Sequence, residues 1–420
     1  MTKIDRAAKP QPPTAPAQPV YVLRGHTAQV HTAEFIRANT QLITGDADGW
    51  LVVWDIAIRR PVGVWKAHDG AILGASAWGD DMIISHGRDH RLRVWQMSGP
   101  TVDMLSKVLP LDDVNLHRPQ PWLLHALAVN TLNFCPFSRC DEAAKQPNSA
   151  FKEERPDVQL EDLVLSEKFG PAPTLIAVPG SLDSGSIDIF QLPSEQRLHV
   201  IPVDTSLKTG MVMTLSLFYQ GNRLAVFAGY ESGHALMFLQ SAPSSKWARV
   251  YAQQPHSQPV LSLTVAPDLS YALTSSADAA IAKHPIPNET SPDGYSAEPL
   301  RITQTKHAGQ QGLSIRTDGK IFATAGWDSR VRVYAAKSMK ELAVLKWHKD
   351  GCYATAFARI DLDVPLPGND RSENGGQMAK ADSPQKMTRQ TEQSRVDRAK
   401  STHWLAAGSK DGKVSLWEIY

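Results

Sequence analysis

Cysteine is almost missing from this chain: Cys135, Cys140 and Cys352 are the only three in 420 residues. They are too few and too unevenly placed for a disulfide framework, which points to a reducing compartment. The Cys135 to Cys140 spacing resembles half of a metal site, but no second Cys or His pair follows at ligand spacing, so neither metal nor cofactor is expected. Neither sign of charge is in excess, with 44 Lys and Arg against 43 Asp and Glu and a formal net charge of +1. That balance offers no broad surface for direct nucleic-acid binding or for an acidic membrane. No apolar run approaches the roughly 18 to 20 residues of a membrane helix, and the N-terminus lacks the apolar core of a secretory signal. A soluble intracellular protein is expected. Helical periodicity is also lacking, since Val, Ile, Leu, Phe and Tyr cluster in short runs rather than at 3.6-residue spacing. A Gly-rich phosphate loop is absent too, so an enzyme with a small-molecule substrate is disfavoured.

What the chain does have is one motif, repeated. "LRGH" ending at His26 is followed by "LITGDADGWLVVWD", with Thr44, Asp48 and Trp54 at fixed offsets. His68, Ser85, Asp89 and Trp95 reproduce those offsets. A third unit is read from His125, Val129 and Phe134, with Asp183 and Phe190 after a delay, and a fourth from Glu231 and Phe238. A fifth has His256, Thr274, Asp278 and His284, with His in the Trp place. The sixth has His307, Thr324, Asp328 and Tyr334, and the seventh His348, Asp411 and Trp417, with Ala407 where Ser or Thr would stand. Seven β-rich units separated by Gly, Asp and Asn turns predict an all-β, seven-bladed β-propeller, each unit supplying one small twisted sheet.

The recurring His, Ser or Thr, and Asp look like hydrolase triads. An enzyme needs such a set once, with an exposed nucleophile and an oxyanion hole, so recurrence argues for structure. The expected arrangement is a buried relay: Asp accepts from the His ring, His meets the hydroxyl, and the hydroxyl accepts from the Trp indole. Phe190, Phe238 and Ala407 predict incomplete relays in three units. Function then falls to surfaces. Residues just before each acidic anchor should ring one face, namely Ala47, Arg88, Leu182, Tyr230, Ala277, Trp327 and Lys410. Arg88, Tyr230, Trp327 and Lys410 are the partner-binding candidates on that face. Large rigid or bidentate groups of the Trp, Tyr and Arg kind dominate binding hot spots. The plain alternatives are that Trp327 folds over a neighbouring turn and that Arg88 is merely solvated.

Residues 1–19 contain "KPQPPTAPAQP" and read as a flexible Pro-rich leader before a single propeller spanning 20–420. The seventh unit runs out after three strands, and "VYVLR" stands before the first His, so the N-terminal strand is expected to pair with the last blade and close the ring. Two polar stretches, about 136–173 and about 361–402, are expected as insertions between the first and second strands of the third and seventh blades. The second has so few apolar residues that disorder is expected of it, and its Ser383-Pro384 pair is read as an incidental linker dipeptide in preference to a phosphorylation site.

These repeats resemble the WD-repeat family. More narrowly, "RGHTAQVHTAEFIRANTQLITGDADGWLVVWD", "VNTLNFC", "KHAGQQGLSIRTDGKIFATAGWDSRVRVY" and "HWLAAGSKDGKVSLW" are similar to a fungal ASTRA-associated family, over Tyr21 to Tyr420 without the insertions. The resemblance implies a nuclear, non-enzymatic scaffold subunit of the ASTRA assembly, present also in the cytoplasm if it shuttles. It implies a link to chromatin remodelling and to the co-chaperone that matures phosphatidylinositol-kinase-related kinases, with protein subunits as partners. It supplies no catalytic residues. A substrate adaptor or a G-protein-β-like signalling module is the alternative, although a Pro-rich leader cannot form the long helix that would hold a γ subunit.

Overall fold

The structure is a computed structural model and describes residues 17–111, 116, 118–130, 134–142, 172–241, 246–287, 297–360 and 384–419. Seven four-stranded antiparallel sheets form the blades of a propeller. The first blade is β2 (Val30–Ile36), β3 (Gln41–Asp46), β4 (Trp50–Asp55) and β5 (Arg60–Lys66). The second is β6 (Ile72–Trp78), β7 (Met82–Gly87), β8 (Arg91–Gln96) and β9 (Trp122–Ala128). The third is β10 (Ser138–Asp141), β11 (Thr174–Pro179), β12 (Ile187–Leu192) and β13 (Gln196–Ile201). The fourth comprises β14 (Val212–Gln220), β15 (Arg223–Tyr230), β16 (Ala235–Gln240) and β17 (Trp247–Gln253). The fifth comprises β18 (Val260–Val265), β19 (Tyr271–Ser276), β20 (Ala280–Pro285) and β21 (Arg301–Gln304). The sixth is β22 (Gln310–Ile315), β23 (Ile321–Gly326), β24 (Val331–Ala335) and β25 (Glu341–Leu345). The seventh joins β26 (Cys352–Phe357), β27 (Trp404–Ser409) and β28 (Lys413–Glu418) to β1 (Tyr21–Arg24).

The N-terminal strand therefore closes the ring as the repeat pattern predicts: Tyr21 pairs with Leu416 and Arg24 with Lys413, and Leu23 is buried. Within each blade, position sets composition. Second strands such as Thr174–Pro179, Tyr271–Ser276, Ile321–Gly326 and Trp404–Ser409 are buried at every residue, because neighbouring blades cover both faces. They accordingly read as continuous small and apolar runs rather than as alternation. First strands pack on one another around the axis. Six of them carry a register shift at their start, as between Val30 and Thr32 or Cys352 and Ala354, so each of these strands fits in one extra residue there.

Three sequence expectations need correcting. Ser138–Asp141 falls inside the stretch assigned to an insertion, yet it is the first strand of the third blade; a four-residue, half-buried strand at the axis has no apolar alternation to announce it. His125 does not open the third unit but lies in β9, the outer strand of the second blade, where its Nδ1 meets Glu195 Oε1 at 2.7 Å. The cause is a long crossover after Gln96 that postpones the fourth strand. Its short helix, Gly99–Met104, and the buried Leu105 and Leu111 run across the outside of the first blade. Ser106 bridges to Val64 there, and the Leu111 N–H donates to the Gly25 carbonyl. Finally, Pro384–Ser401, within the stretch expected to be disordered, is an 18-residue helix. Its last turn docks: Ala399 is buried with Leu23 and Trp404, and the Trp404 indole donates to the Ala399 carbonyl at 3.1 Å. Among the described side chains of this helix Ala399 is the buried one.

Candidate interaction site

The second blade holds the relay in full. His68 Nδ1 donates to Asp89 Oδ1 at 2.8 Å, Ser85 Oγ lies 2.7 Å from His68 Nε2, and Trp95 Nε1 donates to Ser85 Oγ at 2.8 Å. With the Nδ1 proton on Asp89, Nε2 is an acceptor and the Ser85 hydroxyl donates to it. Ser85 is fully buried, with its hydroxyl held between the His68 ring and the Trp95 indole, so it lacks the exposure a nucleophile needs. Glycine is required next to this ring: a Cβ on Gly87 would stand 2.4 Å from His68 Cγ.

In the first blade Thr44 and Trp54 take the same places, with His26 Nε2 to Thr44 Oγ1 at 2.8 Å and Trp54 Nε1 to Thr44 Oγ1 at 2.8 Å. The acid, however, is not Asp48. His26 Nδ1 donates to Asp46 Oδ2 at 2.7 Å, and Asp46 Oδ1 also accepts from the backbone N–H groups of Asp48 and Trp50, both at 3.0 Å. Asp46 is buried at the end of β3, whereas Asp48 is exposed in the turn. A carboxylate sitting where the second and sixth blades have Gly87 and Gly326, and the fifth and seventh Ser276 and Ser409, reaches the ring first.

What happens elsewhere depends on the residue paired across the sheet from the Ser or Thr. In the seventh blade that residue is Ser415, opposite Ala407. Its Oγ lies 2.8 Å from His348 Nε2 and accepts from Trp417 Nε1 at 2.8 Å, so the hydroxyl missing at Ala407 is replaced from the neighbouring strand. Asp411 stands 3.4 Å from His348 Nδ1. The hydroxyl is thus restored, but the relay stays incomplete at its acid end, where His348 Nδ1 and Asp411 are near each other without a hydrogen bond. In the sixth blade Thr324 faces Arg332, whose buried guanidinium grips Asp328 with two bonds of 3.1 and 2.6 Å. His307 is pushed to the surface, 3.7 Å from Asp328, so the expected His307 relay is replaced by an Arg–Asp fork. In the fifth blade Thr274 lies 2.8 Å from both His256 Nε2 and His284 Nε2, and His284 Nδ1 meets the hydroxyl of Tyr251, in the fourth blade, at 2.9 Å. That relay therefore crosses between blades. In the third blade the facing residue is Asp188, whose carboxylate is satisfied by Ser181, and Asp183 is exposed in its turn. In the fourth, Ala228 faces Leu236 and the site is apolar, with Glu231 exposed.

Burial, opposed by these partners, sets the protonation states. Burial alone would raise the Asp89 carboxyl, but the His68 bond and charge, the Asp69 N–H and Arg93 hold it well below the usual range. Asp411 is likewise brought down to about 2, chiefly by His348 acting against burial. Burial pushes His68 down, and it pushes His86 and His284 to about 3, the latter two aided by the nearby His68 and His256 respectively. These rings are neutral in the fold, whereas unfolded imidazoles protonate near pH 6.5. The unfolded state thus binds more protons below that value, and stability must fall as the pH drops from about 6.5 toward 3. His86 and His284 are each expected to contribute a slope of about 1.4 kcal/mol per pH unit. The urea midpoint should drop between about pH 7 and pH 5, and more shallowly in His284→Gln; a flat midpoint would refute this account. Burial raises the Cys140 thiol to about 11 and that of Cys352 to about 12, so neither is a reactive thiolate. Among the described residues no group of three or more His, Cys, Asp or Glu is placed to hold a metal, and no helix is long and apolar enough to cross a membrane.

The four candidates for a binding face do not share one fate. Arg88 is exposed, its guanidinium 4.5 Å above the Phe134 ring. Trp327 is 47% exposed, with its indole lying over Gly309 and its Nε1 donating to Gln311 Oε1 at 2.8 Å. Lys410 is exposed. Tyr230 is only 2% exposed and packs among Val212, Leu236 and Phe238, so it is a core residue and not a contact for a partner. The error has a simple origin, since Tyr230 ends β15 where other blades have a turn residue. Leu182, 95% exposed, stands out in its place.

Comparison with known proteins finds similarity along nearly the whole chain. Residues 19–417 match the family described as ASTRA-associated protein 1. The chain is 47% identical to ASTRA-associated protein 1 of Penicillium rubens, over 97% of this chain and 98% of that protein. It is 46% identical to the Aspergillus niger protein of the same name, over 99% and 100% of the two chains. Similarity extends to the Schizosaccharomyces pombe protein, at 31% identity over 96% and 99%.

Proposed function

This chain belongs to the ASTRA-associated protein 1 family, and from that premise we propose that it is a non-enzymatic scaffold subunit of the ASTRA complex, working in the nucleus. Full-length similarity to proteins of that name carries the reading, because it covers all seven blades rather than an isolated module. The geometry supports it chemically. The recurring polar groups are spent on one another inside the blades, leaving outer surfaces to do the work of a protein with several partners. Within such a complex the role proposed is to hold subunits that act in chromatin remodelling and in the co-chaperone-dependent assembly of phosphatidylinositol-kinase-related kinases. The full-length similarity to proteins of that name is what favours this reading over a substrate adaptor or a G-protein-β-like module.

Affinity purification of the tagged full chain from its own cells, followed by mass spectrometry, tests this. Stoichiometric recovery of ASTRA subunits is expected, together with nuclear fluorescence of the tagged protein. Recovery of ubiquitin-ligase subunits alone would overturn the assignment.

A further inference from the structure

Beside the clasp strand β1 runs a groove of about 1040 Å³, walled by Tyr21 to Gly25 on one side and Ile58 to Val62 on the other, with Lys107, Leu109 and Pro110 of the crossover closing one end. Three properties coincide there. Among the described residues its charged lining is all cationic: Arg24, Arg59, Arg60 and Lys107 line it and no Asp or Glu does. Among the described residues none of these four forms an ion pair with an acidic side chain. The chain as a whole carries a net charge of only +1, so this is a local excess. Its floor is apolar, with Leu23 and Trp54 buried beneath and Ile58 54% exposed on the rim. And β1 is the outermost strand of its sheet, so among the described residues the side of its backbone away from β28 carries no strand.

We propose that this groove docks an extended segment of a partner protein in which acidic and apolar residues alternate. A free strand edge offers main-chain hydrogen bonds to an extended peptide, and side chains of period two send one set onto the apolar floor and the other toward the cations. Arg59 is already held in place, its guanidinium 5.0 Å above the Tyr21 ring, which lowers the ordering cost of pairing with a carboxylate. Ile58 and Arg59 also line an adjoining pocket of about 370 Å³ whose far wall is the docked helix, where Arg395 adds further positive charge while Arg398 lies 3.8 Å from Glu418. The apolar floor and the strand edge favour a peptide over a nucleic acid, which would need stacking aromatics or a backbone track rather than a greasy cleft.

This inference rests on the scaffold reading and deepens it. The probe is a fluorescein-labelled synthetic peptide of alternating Leu and Glu, titrated into the full chain by fluorescence anisotropy. Saturable binding that weakens with salt is expected, with a loss of about ten-fold or more in the R59E/R60E variant and no loss in K340E, an exposed position of the sixth blade outside the groove. Thermal melting of R59E/R60E establishes that it folds, and K107E gives a second, milder reading of the same surface. Equal binding by R59E/R60E and wild type, equal binding of a Leu-Lys peptide, or binding only of a single-stranded oligonucleotide or anionic vesicles would each overturn the proposal. Purification of the tagged chain bears on the partner complex and not on the groove, so the two readings fail separately.

Discussion

Asp46→Ala is expected to destabilise the protein by about 2 to 4 kcal/mol, while Asp48→Ala leaves stability within about 0.5 kcal/mol. The sequence motif alone reverses the two, so the comparison is decisive. Asp46 is fully buried and accepts three hydrogen bonds, from the His26 ring at 2.7 Å and from the N–H groups of Asp48 and Trp50 at 3.0 Å each. Removing its carboxylate strands those donors in a site closed to water, at a cost of about 1 to 3 kcal/mol for each one left unsatisfied, less what the turn recovers by relaxing. Asp48 is exposed, and the contribution visible in its turn is that of its backbone. Urea unfolding of both variants measures the difference; a lower midpoint for Asp48→Ala than for Asp46→Ala would show that the carboxylate seen in the turn, not the buried one, anchors His26.

Deleting residues 1–25 is expected to have the larger effect, loss of the soluble fold, whereas deleting 1–18 leaves it intact. The longer deletion removes β1, its pairing from Tyr21 and Leu416 to Arg24 and Lys413, and the buried Leu23. It leaves β28 with an unpaired edge in a strand that contains Val414, Leu416 and Trp417, a template for aggregation. It also removes Gly25, whose carbonyl accepts from Leu111 of the crossover and whose lack of a Cβ admits Leu109. Soluble yield and limited proteolysis of the two truncations give the result. Indistinguishable behaviour would mean that the ring is held by the remaining blade contacts and that the clasp is dispensable.

The blades were legible because their signals are local. Turn residues, the period of two and the small apolar second strands are written in windows of about ten residues, so the seven sheets and the closing strand follow from the chain read alone. Legibility ended where a feature depends on residues far apart in sequence. Ser138–Asp141 pairs with Thr174–Ala177 across the long stretch between them, and nothing in "SRCD" itself announces a strand. The crossover after Gln96 displaced the third unit's expected His125 into an outer strand, because offset counting assumes connections of uniform length. Trp404 and Ala399 bury one another in the seventh blade, which gives helix Pro384–Ser401 its foothold despite a polar sequence.

By itself, then, the amino-acid sequence determined an all-β ring of seven units, its closure by Tyr21–Arg24 and the structural character of its repeated His, Ser or Thr, and Asp residues. Tertiary structure alone decided which groups complete each buried cluster: Asp46 rather than Asp48, Ser415 for Ala407, Arg332 for His307, and Tyr251 from the preceding blade. It also assembled the basic groove, from residues of the clasp, the first blade and the crossover. The physical reason is the same in each case. A buried polar group must be satisfied by whatever donor or acceptor the cross-strand register and the next blade bring within about 3 Å, and that neighbour is chosen by packing in three dimensions, not by spacing along the chain.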